Sequence, residues 1–196
     1  MKAAVIYAGK YGTTERYARW IGEEVGGDLF PQKECRVKDL EDYDVIVFGG
    51  AIHAGAIMGI DFLRKNFGAL KDKKILTFAV GLNVFDEEAC RECRELNFVK
   101  QPSGLKRLLS GGNAAARMSD EEERFSQLPC WFFPGAYDPQ KVTGMDKKMM
   151  GVVGRMIGGK RQEEITGAER LLLQAIEDGA DYVDKEAIRP LIEFLL

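Results

Sequence analysis

Residues 3–7, 44–49 and 74–80 are apolar at successive rather than alternate positions, the pattern of parallel strands buried on both faces. A fourth run, 130–133, is aromatic and bracketed by Pro129 and Pro134. A weaker one at 29–35 suits an edge strand, which tolerates Pro31. Between these runs the period lengthens to that of helices. From 14 to 25, Tyr17, Ala18, Ile21 and Val25 share one face and Glu15, Arg16, Arg19 and Glu23 the other, and Gly26-Gly27 ends the segment. Further helices are predicted at 60–67, with Phe62, Leu63 and Phe67 inward, within 86–109, and at 145–157, 166–178 and 185–196.

Strands alternating with helices predict an α/β fold, a doubly wound sheet of five parallel strands in the order 2-1-3-4-5, covered on both faces. Residues 1–196 are expected to form one domain. The stretch 97–128, with Gly111-Gly112 and the acidic run Asp120-Glu121-Glu122-Glu123, is longer than ordinary connections and is expected to be an insertion before the last strand. Residues 158–178 are expected to add an extra, partly helical segment.

Charge and cysteine content narrow the chemistry. A net charge of -3 leaves no basic field to attract nucleic acid. One basic residue precedes a short N-terminal apolar run with no cleavage site after it, so no signal peptide is expected. The apolar stretch 45–60 is broken by glycines and His53, so no membrane span is expected and a cytoplasmic location is the default. With one histidine and four scattered cysteines a zinc site is hard to build, and no metal is expected. Cys90 and Cys93 lie in an acidic, helical stretch, whereas redox C-x-x-C pairs open a helix directly after a strand. They are expected to be ordinary thiols one turn apart, a redox or regulatory role being the alternative.

In a doubly wound sheet, ligands bind beyond the carboxyl ends of the strands. That rule gathers residues 8–14, 50–59 and 81–86 around one crevice. The first loop contributes Gly9, Lys10, Tyr11, Gly12, Thr13 and Thr14 and runs straight into a helix. Its glycines permit close backbone approach to an anion, the helix start directs free N–H groups at it, and the threonines add hydroxyls. The spacing is neither that of a Walker loop nor that of G-x-G-x-x-G. The competing reading is an ordinary turn with threonine as the helix cap. The second loop contributes Ala51, Ile52, His53, Ala54 and Gly55, and the third Gly81, Leu82, Asn83, Val84 and Phe85, with Phe85 a candidate to stack on a ring. These loops can present backbone groups to a flat heteroaromatic ring. Together with a phosphate cradle they suit FMN. His53 falls in this crevice and is a candidate for tuning the flavin or donating a proton, set against a loop histidine without a chemical role.

At these residues the chain resembles the flavodoxin superfamily, whose phosphate loop has the form [ST]-x-T-G-x-T. The matching residues are Gly9-Lys10-Tyr11-Gly12-Thr13-Thr14, and the likeness continues through D-V-I-V-F-G-G-A-I-H-A-G and F-A-V-G-L-N-V. The segments W-F-F-P-G-A-Y and M-D-K-K-M-M are similar to one branch, that of the menaquinone-linked protoporphyrinogen dehydrogenases. The resemblance implies a flavodoxin-like fold, FMN, and electron transfer to a redox partner protein or a quinone. Gly9 replaces a usual Ser or Thr and Tyr11 a usual Thr, so FMN binding is expected to persist more weakly, with Lys10 compensating.

The helix at 145–157 places Met145, Met149, Val152, Val153 and Met156 on one face, and Lys147, Lys148, Arg155, Lys160 and Arg161 elsewhere. The expectation is a sheet-covering helix with a solvated basic face. Peripheral contact with anionic lipid or a membrane quinone partner is the alternative. Three functions therefore stand open: an FMN-dependent oxidoreductase, a flavodoxin-type electron carrier, and a flavin-free interaction module.

Overall fold

The structure, a computed structural model, describes residues 1–99 and 119–196. Its strands are β1 (Ala3–Ala8), β2 (Asp28–Pro31), β3 (Val45–His53), β4 (Ala56–Ile57), β5 (Lys74–Gly81) and β6 (Cys130–Pro134). Five of them run parallel in the order β2-β1-β3-β5-β6, the doubly wound order, and β4 folds back antiparallel on the end of β3. The edge strand β2 is shorter than expected. Pro31 is tolerated there because its missing N–H faces the free edge; Gln32 N makes the last bond to the Tyr7 carbonyl at 2.8 Å, and Glu34 N then closes a turn onto the Pro31 carbonyl at 2.9 Å.

Strand side chains alternate between two buried faces. Ala3, Val5, Val45, Val47, Leu76 and Phe78 meet α1 (Thr13–Val25) and the C-terminal α7 (Arg189–Leu195). Ala4, Ile6, Ile46, Phe48 and Ile75 meet the other layer, formed by α2 (Ile60–Leu70), α3 (Glu87–Phe98) and α4 (Asp120–Ser126). The inward residues expected of α2 face that way, with Leu63 and Phe67 buried and Phe62 packed beside them. Within the stretch 97–128, Asn97 and Phe98 complete α3. Ser119 and Glu122 form a reciprocal capping box for α4, whose Phe125 packs against Phe67 and Phe98. Gly111-Gly112 lies outside the described residues.

The last third of the chain departs most from the sequence pattern. After β6, β7 (Ala136–Tyr137) pairs with β8 (Ala180–Asp181) as a separate ribbon, and between them α5 (Gly144–Gly158) and α6 (Gly167–Asp178) pack together. Their small core holds Ile157, Ile165 and Leu172, with Met150, Val153 and Leu82 against it. Thus α5 does not cover the sheet, and the face expected to be inward is largely outward. Met145 and Met156 are 73% and 69% exposed, and Asp146 and Ile157 are buried instead. The physical reason is the partner: α5 packs on another helix and is anchored through Asp146, which turns it from the orientation its methionines alone predict.

One glycine in the sheet has no substitute. The ring of Phe78 lies over Gly49, and a Cβ there would sit 1.9 Å from the Phe78 Cζ. Phe78 itself stacks on Phe133, and Phe133 on Tyr17, whose hydroxyl donates to the Pro134 carbonyl at 2.8 Å. The ring cannot move without disturbing that ladder. We expect Gly49→Ala to cost about 1–3 kcal/mol or more through overpacking. A lowered urea midpoint with an unchanged slope is the result that would show it.

Candidate functional site

The carboxyl ends of β1, β3 and β5 open into a crevice of about 1200 Å³. Loop residues 10–14, 51–55 and 81–84 all line it, so three segments far apart in sequence share one cavity. Gly9 does not line it. It is exposed, and a Cβ there would meet the Thr14 Oγ1 at 2.8 Å, so only glycine lets the backbone come that close to Thr14. Phe85 also stays out: its half-exposed ring meets Tyr182 edge-on, with centroids 5.6 Å apart.

The loop after β1 leaves the start of α1 open. Gly12 takes the left-handed backbone at φ 84 as N-cap and supplies no side-chain cap, so neither threonine acts as one. The first hydrogen bond of the helix is Arg16 N to Gly12 O at 3.0 Å, leaving the N–H groups of the preceding turn available to an anion. Across the crevice, Asn83 Oδ1 is buried without a partner among the described residues. An acceptor placed so calls for a donor from a ligand. Open helix N–H groups for a phosphate and a buried acceptor for a ring N–H fit the donor set of FMN.

The second loop is a two-residue hairpin between β3 and β4, with His53 opposite Ala56. Both central residues have positive φ, 51 at Ala54 and 78 at Gly55, as a type I′ turn requires. Alanine adopts this conformation at a cost of about 1–2 kcal/mol, and Asn97 of α3 holds it there. Its Nδ2 donates to the carbonyls of Gly55 and Cys93, each at 2.7 Å, and its Oδ1 accepts from Ile57 N at 2.8 Å. Asn97 is 3% exposed, and no motif marks it in the sequence.

The side chains of the first two loops meet on a residue that the sequence reading did not single out. Asp146, in the first turn of α5, accepts from Tyr11 Oη at 2.6 Å and Lys10 Nζ at 3.0 Å on Oδ2, and from His53 Nε2 at 2.6 Å on Oδ1. These hydrogen bonds, led by that of Tyr11, hold its carboxyl well below the usual carboxylate range, and the same bond pushes the Tyr11 phenol up. Lys10, expected to compensate at the phosphate, is thus engaged by a protein carboxylate. In the sequence Asp146 passes for an ordinary acid at a helix start, favoured by the dipole. Only tertiary structure brings it to residues more than ninety positions away.

Cys90 and Cys93 also line the crevice, as free thiols on α3. Burial pushes the Cys93 thiol up to about 12 and raises that of Cys90, which keeps both in the unreactive protonated form. Above the loops, α5 and α6 roof the crevice with Met149, Met150, Val153 and Leu172.

A doubly wound parallel sheet with a crevice at its switch point defines an α/β protein of the open-sheet class, whose ligands lie beyond the strand ends. The chain belongs to the flavodoxin domain family, whose model matches residues 4–164. It is similar to a flavodoxin from the domain Archaea, at 12% identity over 90% of this chain and 97% of that chain, with a TM-score of 0.41. It is also similar to a WrbA-like flavodoxin protein of Agrobacterium tumefaciens, at 20% identity over 65% and 90% of the two chains, with a TM-score of 0.38. A Fusobacterium nucleatum flavodoxin bound to flavin mononucleotide aligns at 12% identity over 49% and 65%, with a TM-score of 0.34. Among curated proteins there is no match.

Two measurements probe this geometry. Asn97→Ala leaves the Ile57 N–H and two carbonyls without their partner and should cost about 2–4 kcal/mol in urea unfolding; a loss below ~1 kcal/mol would mean the turn holds itself. The second concerns acid. Because the folded-state pKa of Asp146 is depressed, its contribution is complete above the unfolded value of about 3.9 and disappears as pH falls through the folded one. The stability gap between wild type and Asp146→Asn should hold from about pH 7 to about pH 4.5 and narrow below ~4. A gap that widens in acid contradicts this assignment.

Proposed function

We propose that the protein is an FMN-dependent oxidoreductase acting on a flat, apolar redox partner of the quinone type. The observation that carries this reading is the size and roofing of the crevice. Its volume of about 1200 Å³ exceeds the roughly 300–1,000 Å³ of ordinary small-molecule pockets. Beyond the loops, the remaining space is covered by apolar side chains of α5 and α6. That is room for a second planar ligand beside a flavin, which a one-electron carrier does not need.

The open start of α1, with Thr13 and Thr14, would hold the phosphate, and the backbone of residues 51–55 and 81–84 together with Asn83 would hold the ring. When bound, FMN supplies hydride and electron transfer. The protein's part is to keep the ring and its partner together under an apolar cover that excludes water. The resemblance to the quinone-linked protoporphyrinogen dehydrogenases points in the same direction and leaves the substrate open.

A second reading, that of a carrier docking on a redox protein, is favoured by the exposed stripe of Met145, Val152 and Met156 on α5. The same stripe, with Lys148 and Arg155 on the same helix, also suits peripheral contact with an anionic membrane. No helix among the described residues is long and apolar enough to cross one.

Purified protein should carry, or take up on addition, one flavin per chain, seen as bound oxidised flavin in the visible spectrum. The reduced form should then be reoxidised by a soluble quinone with saturation kinetics. A colourless protein that refuses FMN would sink the flavin reading. Reoxidation only by a one-electron protein partner would replace the enzyme with a carrier.

A further inference from the structure

Asp146 does more than tie α5 to the loops. Of its four neighbouring donor contacts, those of Lys10 and Tyr11 come from the loop after β1, and the one to Oδ1 at 2.6 Å comes from His53. The carboxyl is ionised and has no proton to give, so the hydrogen in the His53 contact belongs to Nε2. The other ring nitrogen, Nδ1, has no partner among the described residues, and the imidazole is 38% exposed where it lines the crevice. A carboxylate, an oriented imidazole and an open second nitrogen form the arrangement by which an acid residue sets a histidine's tautomer.

We propose that Asp146 is the positioning residue for His53, locking the proton on Nε2 so that Nδ1 exchanges a proton with the redox partner in the crevice. The proposal rests on the quinone reading given above. Reduction of a quinone to its hydroquinone requires one hydride equivalent, which the flavin supplies with both electrons, and one proton. That proton comes from the imidazolium: the Nδ1–H bond breaks, an O–H bond forms on the quinone oxygen, and a neutral ring remains with its hydrogen on Nε2. Solvent restores the Nδ1 proton through the exposed edge. His53 is then the proton donor, and Asp146 acts through it without touching the substrate.

His53 is the only histidine in the chain, so its ring nitrogens give one unambiguous pair of signals after 15N-histidine labelling. Two-bond 1H–15N spectra of the full chain, at a pH where the ring is neutral, should show the hydrogen on Nε2. Asp146→Asn, which can offer an N–H to the ring, should move it towards Nδ1. Tyr11→Phe removes the bond on the opposite carboxylate oxygen and should leave the tautomer unchanged. A wild-type ring protonated on Nδ1, or an evenly mixed one, overturns the proposal even if a variant fails to fold. These spectra need neither flavin nor turnover, so they stand apart from failure of the quinone reading. In the flavin-loaded protein Asp146→Asn should lower kcat for quinone reduction roughly 100-fold or more, with KM little changed. A switched tautomer with unchanged kcat would overturn the proton role.

Discussion

Burial of a parallel sheet on both faces governs the rest of this molecule. Interior strand positions of either parity are apolar, save Thr77 of β5, whose hydroxyl is spent on the Pro129 carbonyl at 2.7 Å, so the middles of β1, β3 and β5 hold no free polar chemistry. The chain can place donors, acceptors and charge only where those strands end. The crevice forms there because the strand order reverses between β1 and β3, so that the loops following them diverge and leave space. Close packing inside the sheet, seen in the Phe78 ring lying on Gly49, keeps the loop ends in fixed relation.

The loops are then held by single polar residues brought in from outside the sheet. Asn97 reaches from α3 to secure a turn whose alanine sits in an unfavourable backbone region, and Asp146 reaches from α5 to gather Lys10, Tyr11 and His53. Each is largely buried and satisfies several groups at once, the condition under which a buried polar residue specifies geometry rather than merely costing energy. The first supports backbone shape and the second side-chain orientation. Between them they define the walls facing any ring held in the crevice.

What could be read from the sequence followed this division of labour. The strands and the three crevice loops were legible because burial writes itself into continuous apolar runs, and because the doubly wound order fixes which strand ends meet. The orientation of α5 was not. Its methionines make a plausible inward face, yet the helix packs on α6, and Met145 and Met156 point outward. Asp146 and Asn97 were illegible for a related reason: an acid in a first helical turn and an asparagine at a helix end have sufficient local explanations. Their partners are set by folding, across separations that periodicity does not encode. Gly9 and Phe85 share the loops but not the lining of the cavity, since loop membership does not say which way a residue turns.

The roof over the crevice has a core of its own. Ile157, Ile165 and Leu172 pack within the α5–α6 pair rather than into either layer beside the sheet. Cooperative units follow such divisions in packing, and this cluster is joined to the body through Leu82 and through the Asp146 contacts to Lys10, Tyr11 and His53. Traffic into the crevice therefore need not wait for any loosening of the sheet. Any separation of roof from floor would have to break the contacts of Asp146 with Lys10, Tyr11 and His53, the same contacts that orient the floor.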